Sequence, residues 1–329
     1  MTILITGVAG FIGAHVAQKL LAQGVSVIGF DSLNDYYSPQ LKRDRLAHLC
    51  GDGDFSFHEV DVSSPEALRK ALGDRRPTKI LHLAAQAGVR YSLQNPAAYT
   101  KANLEGHFAM LELAKSLSVE NMVYASSSSV YGGNSKIPFA ETDQTDDPVS
   151  FYGATKKSNE VMSQSYARLY NLSLTGLRFF TVYGPWGRPD MAYWIFAEKI
   201  LRGEPIRVFN HGKMSRDFTF VDDIVAGILA ALDRPASGLG LNVPHRVYNL
   251  GNDRPEPLMD MIRLTEQGVG REAEKTFEPM QKGDLEKTWA NIDRARAELD
   301  YAPAVGLQEG LSKFTGWFNQ NWTKYCSVE

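Results

Sequence analysis

The sequence predicts an α/β fold, a doubly wound parallel sheet followed by a smaller C-terminal α/β lobe. Three observations predict it. Short apolar runs alternate with helical patterns through the first half of the chain, a glycine-rich turn joins the first run to the first helix, and the alternation breaks after about residue 185. Strands that alternate with helices form a parallel sheet covered on both faces.

The elements follow in order. Ile3-Leu4-Ile5 is a buried strand, and residues 12–21 carry helical spacing with Val16, Leu20 and Leu21 on one face. Residues 25–30 and 55–60 are β-rich. A helix starts at Ser64-Pro65, where proline suits the first turn. A strand over 79–83, a long helical stretch over 95–117, a strand over 121–125, a helix over 152–170 and a strand over 172–177 complete the first half. Six strands joined by right-handed crossovers give the doubly wound order. Trp186-Gly187-Arg188-Pro189 then reads as a loop. Residues 196–201 read as helix, 206–210 as strand, and 219–223 as the lead into a helix ending near Leu232. Residues 235–244 are rich in Gly and Pro and read as a surface loop. A strand over 247–250 and helices over 256–267 and 294–299 are assigned to the smaller lobe.

Composition narrows the class. The chain has 329 residues, 43% hydrophobic and 22% charged, which excludes a disordered or fibrous protein. A net charge of −3 excludes a strongly basic nucleic-acid binder and offers no polybasic membrane patch. The two cysteines, Cys50 and Cys326, form no CxxC and call for neither a disulfide framework nor zinc. The seven histidines show no His-x-His or HExxH spacing, so no metal centre is expected. The opening residues lack a basic stretch followed by an apolar one, and no apolar run reaches the ~18 residues of a membrane span. A soluble, cytoplasmic protein is expected.

Gly7-Val8-Ala9-Gly10-Phe11-Ile12-Gly13 is Gly-x-x-Gly-x-x-Gly between a strand and a helix. The first glycine permits a tight turn, the second a close approach to a pyrophosphate, and the third close helix–strand packing. The helix N-terminus, at Phe11 and Ile12, adds unpaired N–H groups and partial positive charge. Asp31 ends the second strand, where a carboxylate accepts from an adenine-ribose diol and repels a 2′-phosphate. The expected cofactor is therefore NAD. Asp61-Val62 and Leu83-Ala84-Ala85-Gln86 end the next two strands and are further candidates for cofactor contact. Asp61 reads equally well as a cap for the helix at Ser64-Pro65. Residues 1–180 are thus expected to be the NAD-binding unit, and residues 181–329 mostly a substrate lobe with some chain returning.

Tyr152-Gly153-Ala154-Thr155-Lys156 places a tyrosine and a lysine on one helix face. An ammonium and a cationic nicotinamide beside the tyrosine would both favour its phenolate. Such a pair is a tunable acid/base, suited to reversible alcohol oxidation. Upstream, Ser126-Ser127-Ser128-Ser129 follows a strand and offers hydroxyls to the reacting oxygen.

The combination of the glycine turn, the serine-rich strand end and Tyr-x-x-x-Lys resembles the extended short-chain dehydrogenase/reductase family. The likeness covers essentially the whole chain. It implies a Rossmann fold, bound NAD, a catalytic triad of Ser127, Tyr152 and Lys156, and Ser129 as a second hydroxyl position. Family dehydratases carry Asp-Glu, and UDP-glucuronate decarboxylases a Glu, where this chain has Ser128-Ser129. That departure leaves oxidation and re-reduction.

Several further stretches are similar to UDP-glucuronate 4-epimerases. They are Asn34-Asp35-Tyr36-Tyr37, Ala87-Gly88-Val89-Arg90-Tyr91-Ser92, the block from Arg178 to Ala192, Gly212 to Thr219, and Pro279 to Asp284. Galactose-type epimerases usually have Asn where Thr181 stands. The resemblance implies conversion of UDP-glucuronate to UDP-galacturonate through a 4-keto sugar. It places Asn34 at the cofactor and Thr181, Ser128, Ser129, Arg188 or Arg90 at the sugar carboxylate. It also places Met191 near the uracil and Arg216 and Asp284 at the pyrophosphate and ribose. A homodimer through the helices over 95–117 and 152–170 is implied as well. The alternatives are a UDP-galactose or UDP-pentose 4-epimerase and a non-catalytic NAD or nucleotide-sugar binder.

Overall fold

The computed structural model describes residues 1–51, 53–281 and 284–326. Lys282 and Gly283, within one of the resembling stretches, lie outside the described residues. The strands are β1 Thr2–Thr6, β2 Ser26–Asp31, β3 Phe55–Glu59, β4 Lys79–His82, β5 Asn121–Ser127, β6 Leu174–Phe179, β7 Thr181–Tyr183, β8 Ile206–Val208, β9 Ser215–Phe220, β10 His245–Leu250, β11 Pro255–Pro257 and β12 Lys275–Phe277. Helices of the first half are α1 Phe11–Ala22, α2 Pro39–Leu49, α3 Pro65–Leu72, α4 Tyr91–Gln94, α5 Pro96–Tyr99, α6 Gly106–Leu117 and α7 Phe151–Tyr170. Those of the second are α8 Ala192–Arg202, α9 Val221–Asp233, α10 Leu258–Val269, α11 Asp293–Leu299 and α12 Leu307–Tyr325.

Seven strands form one parallel sheet in the order β10-β6-β5-β4-β1-β2-β3. Its two faces are separate cores, set by the strand period of two. Ile3, Ile5, Leu81 and Val123 point into one core, while Leu4, Ile80, Met122 and Tyr124 point into the other. Strand order reverses between β1 and β4, which pair from Ile3↔Lys79 to Thr6↔His82. Ligands of a doubly wound sheet lie at such a reversal, beyond the carboxyl ends of the strands.

The segment over 247–250, expected in the smaller lobe, is instead the edge of the central sheet. As β10 it pairs with β6 from His245↔Leu174 to Leu250↔Phe179. The chain after residue 181 therefore crosses back and contributes a seventh strand. The lobe itself holds a sheet of β11-β9-β7 and a pair of β12 with β8. The expected strand over 206–210 stops at Val208, because Asn210 and His211 turn left-handed at φ of 49° and 50°. The long stretch over 95–117 is helical but not uniform. Asn95 caps α5, and residues Thr100–Glu105 widen into a π-helical turn before α6.

Two longer helices were not anticipated, besides the single turn of α4. Ser38 Oγ accepts from the Leu41 N–H at 3.4 Å and Pro39 opens α2, the same Ser-Pro start that marks α3. Its sequence carries no apolar stripe, since α2 buries Lys42, Asp44 and Arg45 beside Leu41. The other, α12, buries Leu307, Leu311, Phe314 and Phe318 at helical spacing. No helix among the described residues is long and apolar enough to cross a membrane.

Candidate active site

The glycine turn forms a tight cradle at the β1 end. Gly7 has φ +72°, and a Cβ there would lie 2.7 Å from the Ala84 nitrogen. A Cβ on Gly13 would lie 2.2 Å from the Gly7 carbonyl oxygen, so any larger residue would push α1 off the turn. Gly10 caps α1 with no side-chain hydrogen bond and no acidic residue in the first turn. The N–H groups of the first turn at Phe11 and Ile12 are thus left for an anionic ligand.

The rest of the cofactor edge divides. Asp31 Oδ2 accepts from the Ala9 N–H at 3.1 Å and Oδ1 from the Leu33 N–H at 2.9 Å. Burial raises its pKa, against the pull of those N–H groups, Lys42 and Arg45. Asn34 is held by Lys42, whose Nζ donates to its Oδ1 at 2.8 Å. Asp61 takes the Ser63 N–H at 3.0 Å and pairs with Lys101 at 2.8 Å, while Ser64 itself caps α3. Val62 is buried against Gly106. Leu83 to Gln86 leave β4 beside the cradle, the Ala84 N–H donating to Thr6 Oγ1 at 3.3 Å. These residues fit a dinucleotide: an uncapped helix end for its pyrophosphate, a carboxylate at the β2 end and small side chains alongside.

Tyr152 stands at the start of α7, partly buried, with its hydroxyl hydrogen-bonded to Ser127. Burial raises the Tyr152 pKa, and the Ser127 hydrogen bond and Arg188 oppose the rise. Lys156 Nζ donates to the Ala125 carbonyl at 2.9 Å, and burial pushes its pKa down to about 8. In the protein alone burial outweighs the Ser127 hydrogen bond and Arg188, and a cationic nicotinamide would add to those two in favouring the phenolate.

The four serines differ in environment. Ser126 Oγ donates to Glu160 Oε1 at 2.6 Å, within the buried Glu160–Arg178 pair. Ser127 Oγ takes the Ser129 N–H at 3.1 Å and donates to Ser129 Oγ at 3.2 Å. Ser128 and Ser129 start a 3₁₀ turn at the strand end.

Across the cleft, Thr181 opens β7 and Met191 caps α8. Arg188 binds Asp190 through Nε at 3.0 Å and Nη2 at 2.5 Å, and Tyr36 Oη donates to the same Asp190 at 3.1 Å. Arg90, an alternative to Arg188 in the sequence, pairs with Asp284 at 3.1 Å and lies over the Phe209 ring. Arg216 is within electrostatic reach of both Arg90 and Asp284, and burial lowers its pKa. Arg90 therefore groups with the candidate nucleotide residues. Among the described residues, no group of three or more His, Cys, Asp or Glu could hold a metal.

Over residues 3–251 the chain matches the model of the NAD dependent epimerase/dehydratase family. The chain belongs to that family. UDP-glucuronate 4-epimerase 4 of Arabidopsis thaliana is 49% identical over 329 residues, spanning 97% of this chain and 75% of that protein. The crystal structure of UDP-glucuronic acid 4-epimerase from Bacillus cereus, in complex with UDP-glucuronic acid and NAD, superposes with a TM-score of 0.89 at 34% identity. It covers 97% of this chain and 99% of its own. UDP-glucose 4-epimerase from Thermotoga maritima, with UDP-glucose, gives a TM-score of 0.87 at 33% identity, covering 98% and 100%.

Three groups of this epimerase/dehydratase chain escape the sequence reading. Asn103, in the π-helical turn, accepts the Gln86 N–H at 2.8 Å, donates to Thr155 at 3.0 Å, and takes an Asn159 side-chain bond on its carbonyl at 2.6 Å. It thereby fixes the β4 end to α7, and so Gln86 to the tyrosine helix. A π-helical turn frees a carbonyl for such use. Arg45 of α2 is fully buried and donates to Ala9 O at 3.1 Å, Tyr37 Oη at 2.7 Å, Trp186 O at 2.9 Å and Gly187 O at 2.6 Å. It ties the glycine turn to the loop that carries Arg188, where Trp186 adopts φ +60°. Asp190 is the third. The Ser38-Pro39 cap is the one signal that could have marked α2; nothing in the local sequence marks Asn103.

Proposed function

We propose that this chain catalyses the NAD-dependent 4-epimerisation of UDP-glucuronate to UDP-galacturonate through a transient 4-keto sugar. The observation that carries the reading is the Ser127–Tyr152 hydrogen bond at the end of β5, within electrostatic reach of Arg188. The identity to UDP-glucuronate 4-epimerases over nearly the whole chain supports it.

When bound, NAD supplies reversible hydride acceptance at the sugar C4. Gly7, Gly10 and Gly13 with the α1 N-terminus hold its pyrophosphate, and Asp31 its adenine ribose. Tyr152 takes the proton of the 4-hydroxyl and later returns it, with Ser127 positioning that oxygen. Lys156, bonded to the Ala125 carbonyl, ties the tyrosine helix to β5. Arg90, Arg216 and Asp284 hold the UDP end, so that the 4-keto ring turns about its link to the pyrophosphate and presents its other face. That ring is a β-keto acid, prone to lose carbon dioxide when its C–C bond aligns with the carbonyl π system. Thr181, Ser128, Ser129 and Arg188 grip the carboxylate and hold it out of that alignment.

The enzyme works as a cytoplasmic homodimer. Phe108 of α6 and Val161, Leu169 and Tyr170 of α7 are exposed on two neighbouring helices, an apolar face suited to a second copy. Cys50 and Cys326 are free and buried, compatible with a reducing compartment. The test is product analysis with UDP-glucuronate or UDP-glucose and no added NAD. UDP-galacturonate from the first, in preference to UDP-galactose from the second, is the expected result. Preferred turnover of UDP-glucose would assign the chain to the neutral-sugar 4-epimerases instead.

A further inference from the structure

Arg188 and Asp190 form a closed pair in the cleft. The guanidinium uses two prongs, Nε to Oδ1 at 3.0 Å and Nη2 to Oδ2 at 2.5 Å, the strong geometry for this pairing. Only about a quarter of either side chain is exposed (25% and 24%). Asp190 has a second anchor, because Tyr36 Oη donates to its Oδ2 at 3.1 Å. Tyr36 follows β2, while Arg188 and Asp190 precede α8, so the triad joins the segment after β2 to the loop before α8. Gly88 closes the third side, since a Cβ there would lie 2.7 Å from Tyr36 Oη and 3.6 Å from Asp190 Oδ2.

Two demands meet at this arginine. A hexuronate carboxylate is best held by a cation, yet 4-epimerisation requires the ring to turn over. Whatever grips the carboxylate must release it and grip again within each turnover. An arginine left without its partner in a buried site is an uncompensated charge, which is strongly unfavourable. Release is therefore easy only where a substitute anion lies within reach. Asp190 is that anion, two residues away on the same loop.

We propose that Asp190 is the exchange partner of Arg188. Its carboxylate holds the guanidinium while the sugar is absent or turning, yields to the substrate carboxylate, and meanwhile stays anchored on Tyr36. This rests on the reading of the substrate as a UDP-hexuronate. The exchange also sets specificity, which is a difference between two affinities. A neutral hexose brings no anion to exchange and meets an arginine that is already satisfied.

The test is Asp190→Asn in the full-length enzyme, assayed with UDP-glucuronate and UDP-glucose. Asparagine keeps the Tyr36 hydrogen bond and removes the competing charge. For UDP-glucuronate, KM should fall several-fold and kcat about tenfold, a split that means tighter ground-state binding and slower release. Values for UDP-glucose should stay near those of the wild type. In a Tyr152→Phe background, where no turnover occurs, Asp190→Asn should tighten the dissociation constant for UDP-glucuronate several-fold. Tyr36→Phe, which leaves the Arg188–Asp190 pair intact, should raise KM for UDP-glucuronate with little change in kcat. Equal losses for both sugars, or weaker UDP-glucuronate binding in Asp190→Asn, would mean that Asp190 merely holds the loop. Failure of the wild type to epimerise UDP-glucuronate would instead overturn the substrate reading.

Discussion

Lys156 Nζ donates to the Ala125 carbonyl at 2.9 Å, directing the ammonium at the C-terminal part of β5. Burial lowers its pKa to about 8, so the charge is kept at a cost. Between about pH 8 and the ordinary lysine value, the unfolded chain binds a proton that the folded chain lacks. Stability from this group therefore rises with pH across that window. Below it the buried charge costs on the order of 3 kcal/mol. Lys156→Met should lose about 10²-fold or more in kcat. It should nevertheless melt no lower than the wild type at pH 7, with any advantage shrinking above pH 10. Thermal melts at the two pH values check this, and a variant destabilised equally at both contradicts it.

The two hydroxyls after β5 should not be equivalent. Ser127 bonds Tyr152 directly, whereas the Ser129 hydroxyl meets Ser127 at 3.2 Å. Ser127→Ala should lower kcat by about 10²-fold, within the range of a lost proton-transfer partner, and Ser129→Ala by less than tenfold. Steady-state rates of the two variants decide the order.

Thr181 opens β7 and is partly buried, and it is proposed to grip the substrate carboxylate. Thr181→Ala should loosen the carboxylate of the 4-keto intermediate and let it align for loss of carbon dioxide. Chromatography of the products should then show a rising UDP-pentose fraction. Unchanged product purity would remove Thr181 from the clamp.

Asp31 takes the Ala9 N–H and the Leu33 N–H, so it shapes the glycine turn in addition to its proposed contact with the ribose. Asp31→Ala should release NAD during purification. Adding back NAD should restore turnover, with an apparent affinity reduced by about 10-fold or more. Retention of NAD through gel filtration would show that the turn holds without its carboxylate.

Much of this molecule is written locally. The glycine turn, the Ser-Pro start of α3 and the Tyr-x-x-x-Lys helix each depend on a few adjacent residues, and the structure forms all three. What was illegible depends on distant partners. Nothing in His245–Leu250 says that it pairs with β6 and not within the lobe, since a short apolar run suits either sheet. Arg45 and Asn103 look like surface residues because the carbonyls they serve come from elsewhere in the chain. Arg188 was legible as a cation, but its partner Asp190 and the Tyr36 hydroxyl from the far wall were not. Lys156 shows the same limit: its place on the helix was clear, but its direction toward Ala125 was set by the sheet.

The buried face of α2 bears on the order in which the chain is made. Asp44, beside Arg45, accepts from Tyr325 Oη at 2.8 Å and pairs with Lys324 at 2.7 Å. During synthesis the glycine turn emerges well before Lys324 and Tyr325, whose contacts seat the helix behind it. A nascent N-terminal half carries the cofactor motif without its brace. Firm capture of the dinucleotide would then wait for α12, and changes near Tyr325 should be felt at the glycine turn.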